Sequence, residues 1–363
     1  MKVLFIGGTG VISTAISKRV LELGWDLFLL NRGSRNTIID TTGKPGKLVE
    51  IACDIRSESE EAITAKLKAA LAAAAGPGQN CSIQNLRFDV VADFIVFTQE
   101  HIEKDYRIFR DLCDQYIFIS SASAYQKPLS SYLITESTPL ANPYWEYSRN
   151  KIACEEFLTG KYRENGFPFT VVRPSHTYDE RYIPLGVHGK NGSWQVVKRM
   201  LDGKPVIIHG DGTSLWTMTH NSDFARAFTG LMGNIHAIGE AVHITSDESV
   251  SWNQAFHAIA AALKVPLKAA YVSSLFLAQC SHYDFTGSLI GDKANSVVFD
   301  TTKLKRLVPG FCAQVRFDQG IKETIAHVLS HPECQQEDPE FDAWCDRVIA
   351  AQEKALQEVR RNQ

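Results

Sequence analysis

A short, mostly apolar run, Lys2-Val-Leu-Phe-Ile6, breaks at once into Gly7-Gly-Thr-Gly10 and resumes as Val11-Ile-Ser13. Strand, glycine turn and helix in immediate succession leave few folds open. Gly7 permits the tight turn out of the strand, and Gly10 lets the backbone come close to a phosphate. The helix start then offers unpaired N–H groups and the positive end of its dipole. Gly7, Thr9, Gly10, Val11 and Ile12 are therefore expected to cradle the pyrophosphate of a dinucleotide. Ser13 stands where a third glycine usually allows close helix–strand packing, and it is small enough to keep that packing. The expected class is α/β: a Rossmann-type doubly wound parallel sheet with a smaller C-terminal substrate-binding lobe.

The chain beyond the turn continues the alternation of apolar runs and helical stretches. Strands are expected at residues 26–30, 47–53, 88–93, 116–120 and 169–173. Helices are expected at 11–23, at 62–75 and from about 143 to 162. Gly76-Pro-Gly-Gln-Asn80 should break the alanine-rich helix before it. After Pro174 the texture changes to loops rich in Gly, His, Asp and Trp, which usually build the substrate side of a site. The division expected for the 363 residues is a dinucleotide-binding domain over 1–174, with returns from the later chain. A mainly substrate-binding lobe over 175–337 follows, and then a charged helical tail over 338–363 that packs on the outside.

Charge narrows the function classes. The formal net charge is −3 and the isoelectric point is near 6.4. No basic block stands out, which argues against nucleic-acid or membrane-surface partners. No apolar run approaches the length of a membrane span, and a strand starting at residue 2 leaves no room for a signal peptide. The eight cysteines are scattered, without C-x-x-C or histidines at metal spacing, so no metal site is expected and the thiols read as those of a reduced, cytoplasmic protein.

Two further segments supply chemistry. Tyr147 and Lys151 in Tyr147-Ser-Arg-Asn-Lys151 lie one helical turn apart, on one face. Ser120-Ser121 precedes them at the end of an expected strand. An ordinary tyrosine, with a pKa of about 10, is a poor base at neutral pH. A nearby ammonium and an oxidised nicotinamide would favour the phenolate and lower that value. Tyr147 would then take a hydroxyl proton as hydride leaves, or return it in reduction. Lys151 would also hold the nicotinamide ribose, Ser121 would hydrogen-bond the reacting oxygen, and Ser123 would line the same pocket.

In this order the segments resemble the extended short-chain dehydrogenase/reductase family, the NAD(P)-dependent sugar epimerases and dehydratases. The resemblance covers about residues 1–310. Ile119-Ser-Ser-Ala-Ser-Ala-Tyr125 is similar to the family's strand end with its catalytic serine, best matched by Ser121, and Tyr147 and Lys151 match its Tyr-x-x-x-Lys. Val172-Arg173-Pro174, Ile208-His-Gly-Asp-Gly-Thr213 and Phe299-Asp-Thr-Thr-Lys-Leu-Lys305 resemble its later landmarks. The resemblance implies an enzyme with NAD or NADP as cofactor, and a homodimer formed through the Tyr147 helix and its neighbour.

Three departures bear on substrate and cofactor. Trp216 stands where the nucleotide-sugar epimerases carry an arginine for the diphosphate, and His176 where they often place an asparagine. An indole cannot replace a bidentate guanidinium, but it stacks well on a sugar ring. The second strand ends in Asn31-Arg32-Gly33-Ser34-Arg35, without the acidic residue that holds the adenosine ribose in NAD-specific sites. Arg32 and Arg35 are placed to pair with a 2′-phosphate, which leans toward NADP. Asp54, after the third strand, is placed either to accept from the adenine amino group or to cap the next helix.

His176, Tyr178, Asp179, His188, His220 and Asp223 fall on loops expected to overhang the site. His176, Tyr178, Ser123 and Trp216 are the candidate substrate contacts, and a hydroxyl-rich, sugar-like molecule is the expected substrate. The polar segment Gly291-Asp-Lys-Ala294 has no assigned role at this level. The leading reading is an oxidoreductase acting on a secondary alcohol or ketone of a sugar-like or polyol substrate. An epimerase that retains its cofactor uses the same groups. Dehydration needs a further acid/base pair that Ser121-Ala122-Ser123 does not offer. A dinucleotide-sensing or RNA-associated protein without catalysis is the alternative from another class.

Overall fold

The computed structural model describes residues 1–33, 39–75, 87–280 and 283–361. The opening half winds as β1 (Lys2–Ile6), α1 (Val11–Glu22), β2 (Asp26–Asn31), β3 (Leu48–Ala52), α2 (Glu60–Ala75), β4 (Val90–Asp93), α3 (Gln99–Phe109), β5 (Tyr116–Ile119) and α4 (Glu146–Asn165). With Phe169–Pro174 and Ala241–Ile244 the strands make one seven-stranded sheet. Its order is Ala241–Ile244, Phe169–Pro174, β5, β4, β1, β2, β3. All its pairings are parallel.

The strands are continuous apolar runs because both faces of the sheet are covered. In β1 the side chains alternate: Leu4 and Ile6 enter a core with α2, α3 and α4, while Val3 and Phe5 enter one with α1 and the helix Asn221–Leu231. The chain leaves β1 for β2 on one side, and β4 lies on the other, so order reverses at β1. Ligands of open parallel sheets bind at the strand ends beside such a reversal.

Most expected elements are present with ends shifted by one to three residues. The expected strand at 88–93 shortens to Val90–Asp93, with Phe88 in an isolated bridge to Cys113. The helix expected near residue 143 begins at Glu146, since the Asn142 carboxamide holds the Tyr144 N–H at 3.2 Å and keeps those residues in a turn. The breaker Gly76–Asn80 lies outside the described residues.

Two elements depart further. α3 has no counterpart in the sequence reading, although it buries Ile102, Ile108 and Phe109. The tail helix Pro339–Arg361 is not wholly external. Phe341, Trp344, Cys345, Val348 and Ile349 form an apolar stripe buried in the core of the second lobe. That lobe also holds Trp194, Trp216 and Trp252. Among the described residues no helix is long and apolar enough to cross a membrane.

One polar cluster is set into the sheet. The Arg56 guanidinium bonds to Asp93 at 2.9 Å and Asp105 at 2.7 Å, both carboxylates being fully buried. The Tyr116 hydroxyl donates to Asp105 at 2.8 Å. Burial and the Asp105 charge push the Asp93 carboxyl well above its ordinary range. Removing the cation from two buried carboxylates costs about 3–5 kcal/mol. Arg56→Met should therefore lose about that much stability in urea unfolding at pH 7. Equal stability to the parent at pH 7 would refute this role.

Candidate active site

The glycine turn is built by sterics. Gly7 has φ +79°, and a Cβ there would stand 2.5 Å from Ile95 Cγ2. Ser13 fastens the turn from inside: its hydroxyl accepts the Gly10 N–H at 2.8 Å and donates to the Gly7 carbonyl at 3.0 Å. The first helical bond runs from the Thr14 N–H to the Gly10 carbonyl at 3.0 Å. The amides of Val11 and Ile12 thus have no helical acceptor and face the chamber above the turn.

That chamber, about 540 Å³, is bounded by Gly7, Thr9, Gly10, Val11, Ile12, Asn31, Arg32, Asp54 and Arg56, with Phe94, Ile95, Phe97 and Ile119 toward the catalytic end. Of the expected dinucleotide contacts, Arg35 lies outside the described residues. Asp54 does not cap the next helix, which begins only at Glu60. One carboxylate oxygen accepts the Arg56 N–H at 3.0 Å, and the residue borders the chamber. That N–H bond is the chief cause holding its carboxyl below the usual range. Amides without helical acceptors at a helix start, a turn closed to side chains and a chamber of about 540 Å³ beside the strand ends all fit a nicotinamide dinucleotide.

α4 brings the reacting groups together. Tyr147 is in its first turn, Lys151 one turn on, and Glu155 one turn further, on the same face. Lys151 is 2 % exposed, and its ammonium donates to the carbonyls of Val96 at 2.5 Å and Ile119 at 2.7 Å. It lies 5.6 Å from the Tyr147 ring centre. Burial pulls its pKa down to about 8. Glu155 pairs with Arg173 at the end of the strand Phe169–Pro174, with Arg173 Nε to Glu155 Oε1 at 3.0 Å, and it also accepts from Ser120. Both members of the pair are at least 94 % buried, their side chains being 5 % and 6 % exposed.

Tyr147 is expected as a phenolate only beside both the ammonium and an oxidised nicotinamide. In the protein by itself, burial pushes the phenol up to about 12. The hydrogen bond with Ser121 pulls the other way, and the Asp292 carboxylate adds to the rise. The ammonium of Lys151 is turned to backbone carbonyls, so Tyr147 is a phenol at neutral pH. Ser121 continues into a hydroxyl chain: Ser121 Oγ to Ser123 Oγ at 2.8 Å, and Ser123 Oγ to Ser148 Oγ at 2.7 Å.

A second chamber of about 230 Å³ opens at this point. Ser121, Ser123, Trp145, Tyr147, His176, Trp216, Asp292 and Lys293 line it. Ser123, His176 and Trp216, three of the expected substrate contacts, thus line this chamber. Burial, with the charges of Lys293 and His188, holds His176 well below the ordinary histidine range, hence neutral.

Tyr178 is not on the wall. It is fully buried, packed edge-on against Phe317 at 5.6 Å and His220 at 5.2 Å, because its strand pairs with Met218–His220 and turns it into the lobe's core. His220 caps the helix Asn221–Leu231 by accepting the Ser222 N–H. Asp223 accepts the N–H groups of Gln314 and Val315 and braces their loop. Arg56, Asp292 and Lys293 were not singled out as site residues. The one available signal was the unexplained polar segment at 291–294.

The model of the family described as "NAD dependent epimerase/dehydratase family" matches residues 3–244. The 2′-dehydrokanamycin reductase of Streptomyces kanamyceticus is 26% identical over 208 residues, 54% of this chain and 54% of that protein. The chain thus spans about half the length of that relative. A chloroplast stem-loop binding protein of 41 kDa from Arabidopsis thaliana is 25% identical over 258 residues, 69% of this chain and 60% of that protein. Among solved structures, an epimerase of the methanogen Methanothermobacter thermautotrophicus superposes with a TM-score of 0.70 at 16% identity, over 92% of this chain and 93% of that one. At that identity the likeness is one of fold.

The Tyr147 assignment makes a spectroscopic prediction. A difference titration of the parent against Tyr147→Phe, without dinucleotide, should show no tyrosinate from this residue between pH 7 and 10. Its appearance below pH 9 would contradict the buried phenol.

Proposed function

The chain belongs to the NAD-dependent epimerase/dehydratase family, and from that premise we propose that it is an oxidoreductase reducing a ketone on a sugar-like ring to the secondary alcohol. The observation that carries this reading is that Ser121 and Tyr147 share the wall of the small chamber, with the Lys151 ammonium 5.6 Å from the Tyr147 ring centre. A nicotinamide dinucleotide, when bound, supplies the hydride.

The protein's own groups do the rest. Ser121 and Tyr147 donate to the ketone oxygen and draw it into one position. Tyr147, already protonated, gives its proton to that oxygen as hydride reaches the carbon, so ketone, hydride and proton sum to the alcohol. Lys151 uses two of its three N–H donors on Val96 and Ile119. The third is left for a ribose hydroxyl, and the positive charge stabilises the phenolate that remains. The hydroxyl chain through Ser121, Ser123 and Ser148 offers a route for returning the proton.

Size and recognition argue for a compact substrate. A chamber of about 230 Å³ lies below the ~300–1,000 Å³ usual for drug-sized ligands, and Trp216 lines it where an arginine would be needed to grip a diphosphate bidentately. The name of one relative is that of a reductase, which agrees with this direction. The similarity to a stem-loop binding protein favours the non-catalytic reading, while the formal net charge of −3 speaks against an RNA surface.

NADP is the cofactor proposed, on the strength of Arg32 at the chamber edge and the lack of an acidic residue at the end of β2. Denaturing freshly purified protein and identifying any released nucleotide by mass spectrometry tests this. The expected result is little bound nucleotide, with NADPH then binding at least tenfold more tightly than NADH. Stoichiometric NAD would overturn it and favour an epimerase that keeps its cofactor between turnovers.

A further inference from the structure

The segment at 291–294 closes a π-helix, Thr286–Lys293, a rare conformation that occurs most often at functional sites. It packs directly on the residues ahead of Tyr147: a Cβ on Gly287 would stand 2.3 Å from Trp145 Cδ1. Its last four carbonyls are each held by a side chain. Asn295 Nδ2 donates to Ile290 O at 2.9 Å and Asp292 O at 3.2 Å. Asn142 Nδ2 donates to Gly291 O at 2.7 Å, and also to Ser123 O at 2.8 Å. His209 Nε2 and the buried indole N–H of Trp252 both donate to Lys293 O, at 3.2 and 3.1 Å. Side-chain donors from separate parts of the chain thus fix the backbone of two residues that line the same chamber as Ser121.

Those side chains are a carboxylate and an ammonium. Lys293 Nζ lies 3.6 Å from Asp292 Oδ2, with the side chains 14% and 10% exposed. At that separation they are ion-paired but beyond good hydrogen-bond length, so each retains unfilled capacity. Lys127, buried behind the wall, adds a second positive charge near Asp292. Beside the pair, Trp216 Nε1 and His176 Nδ1 are buried with no hydrogen-bond partner among the described residues. An indole N–H can only donate, and leaving such groups unmet is costly. The chamber therefore has a carboxylate acceptor and an ammonium donor on its wall, with the indole of Trp216 in the same lining.

We infer that Asp292 and Lys293 form a two-headed clamp for adjacent hydroxyls of a neutral, monosaccharide-sized ring, with Trp216 donating to a further ring oxygen. This rests on the reading of the chamber as the substrate site. A diol satisfies both heads at once, one hydroxyl donating to Asp292 and its neighbour accepting from Lys293. An anionic substituent at Lys293 would meet the carboxylate within a few ångströms, and a cationic one at Asp292 would meet the ammonium. Two heads of opposite sign this close select against either charge.

The test reads binding rather than turnover. With saturating NADP⁺, saturation-transfer NMR would be recorded on a panel of neutral hexoses and cyclitols, D-glucuronate and D-glucosamine. At least one neutral member should bind the parent protein, in preference to both charged sugars. Its affinity should fall at least tenfold in both Asp292→Asn and Lys293→Met, with NADP⁺ affinity and thermal midpoint held. Lys293→Gln, which keeps a donor without the charge, should lose less than Lys293→Met. Preference for a charged sugar, binding of no neutral member, or neutral binding unchanged in both variants would each overturn the clamp. Loss of the hydride-transfer reading would instead show as turnover indifferent to Tyr147, with this binding pattern intact.

Discussion

A buried ammonium ties the two halves of the site together. Lys151 reaches from α4 to the carbonyls of Val96 and Ile119, just beyond β4 and at the end of β5. Those are neighbouring strands at the edge of the dinucleotide chamber, so one side chain fixes α4 against the sheet at the point where the chamber ends. Burying a charge is costly unless it is hydrogen-bonded, and the two carbonyls offset that cost only in this position. Tyr147, one turn earlier on the same face, is thereby aimed at the mouth of the second chamber.

The neighbouring contacts reinforce that placement. Glu155, one turn after Lys151, is locked by Arg173 and Ser120, joining α4 to the strand on the far side of β5. Ser121 follows Ser120 directly, so the pair that anchors the helix also sets the catalytic hydroxyl. On the other side Asn142 links the Ser123 carbonyl to Gly291, which couples the catalytic loop to the π-helix of the second lobe. The reacting groups are held by rigid elements on every side, the arrangement a positioned proton transfer requires.

Much of this was legible in the residues. The run Lys2–Ile6 followed by glycines gave away β1, the turn and α1, because those features depend on neighbours in sequence. The spacing of Tyr147 and Lys151 gave their shared face for the same reason. What escaped depends on distant partners. Arg56 looks like any loop arginine until Asp93 and Asp105, from two other elements, meet it. Tyr178 sits on a loop-like stretch among polar residues, yet its strand pairing with Met218–His220 turns it inward. The tail's apolar stripe from Phe341 to Ile349 was diluted by charges on its other face. A phenolate at Tyr147 was expected from Lys151 together with an oxidised nicotinamide, and in the protein by itself burial raises the phenol instead. Asp292 and Lys293 stood out only as an unexplained polar segment, since their site is assembled by Asn142, His209 and Trp252 from elsewhere in the chain.

The central claim is that Tyr147 supplies the proton during hydride transfer inside the small chamber. Following NADPH oxidation with a panel of neutral keto sugars, in the parent protein and in Tyr147→Phe, tests it most directly. The account predicts turnover by the parent that falls by about 10²–10⁴-fold in the variant, with NADPH binding unchanged. Turnover that survives the loss of the Tyr147 hydroxyl, or a panel on which the parent shows none, would contradict it.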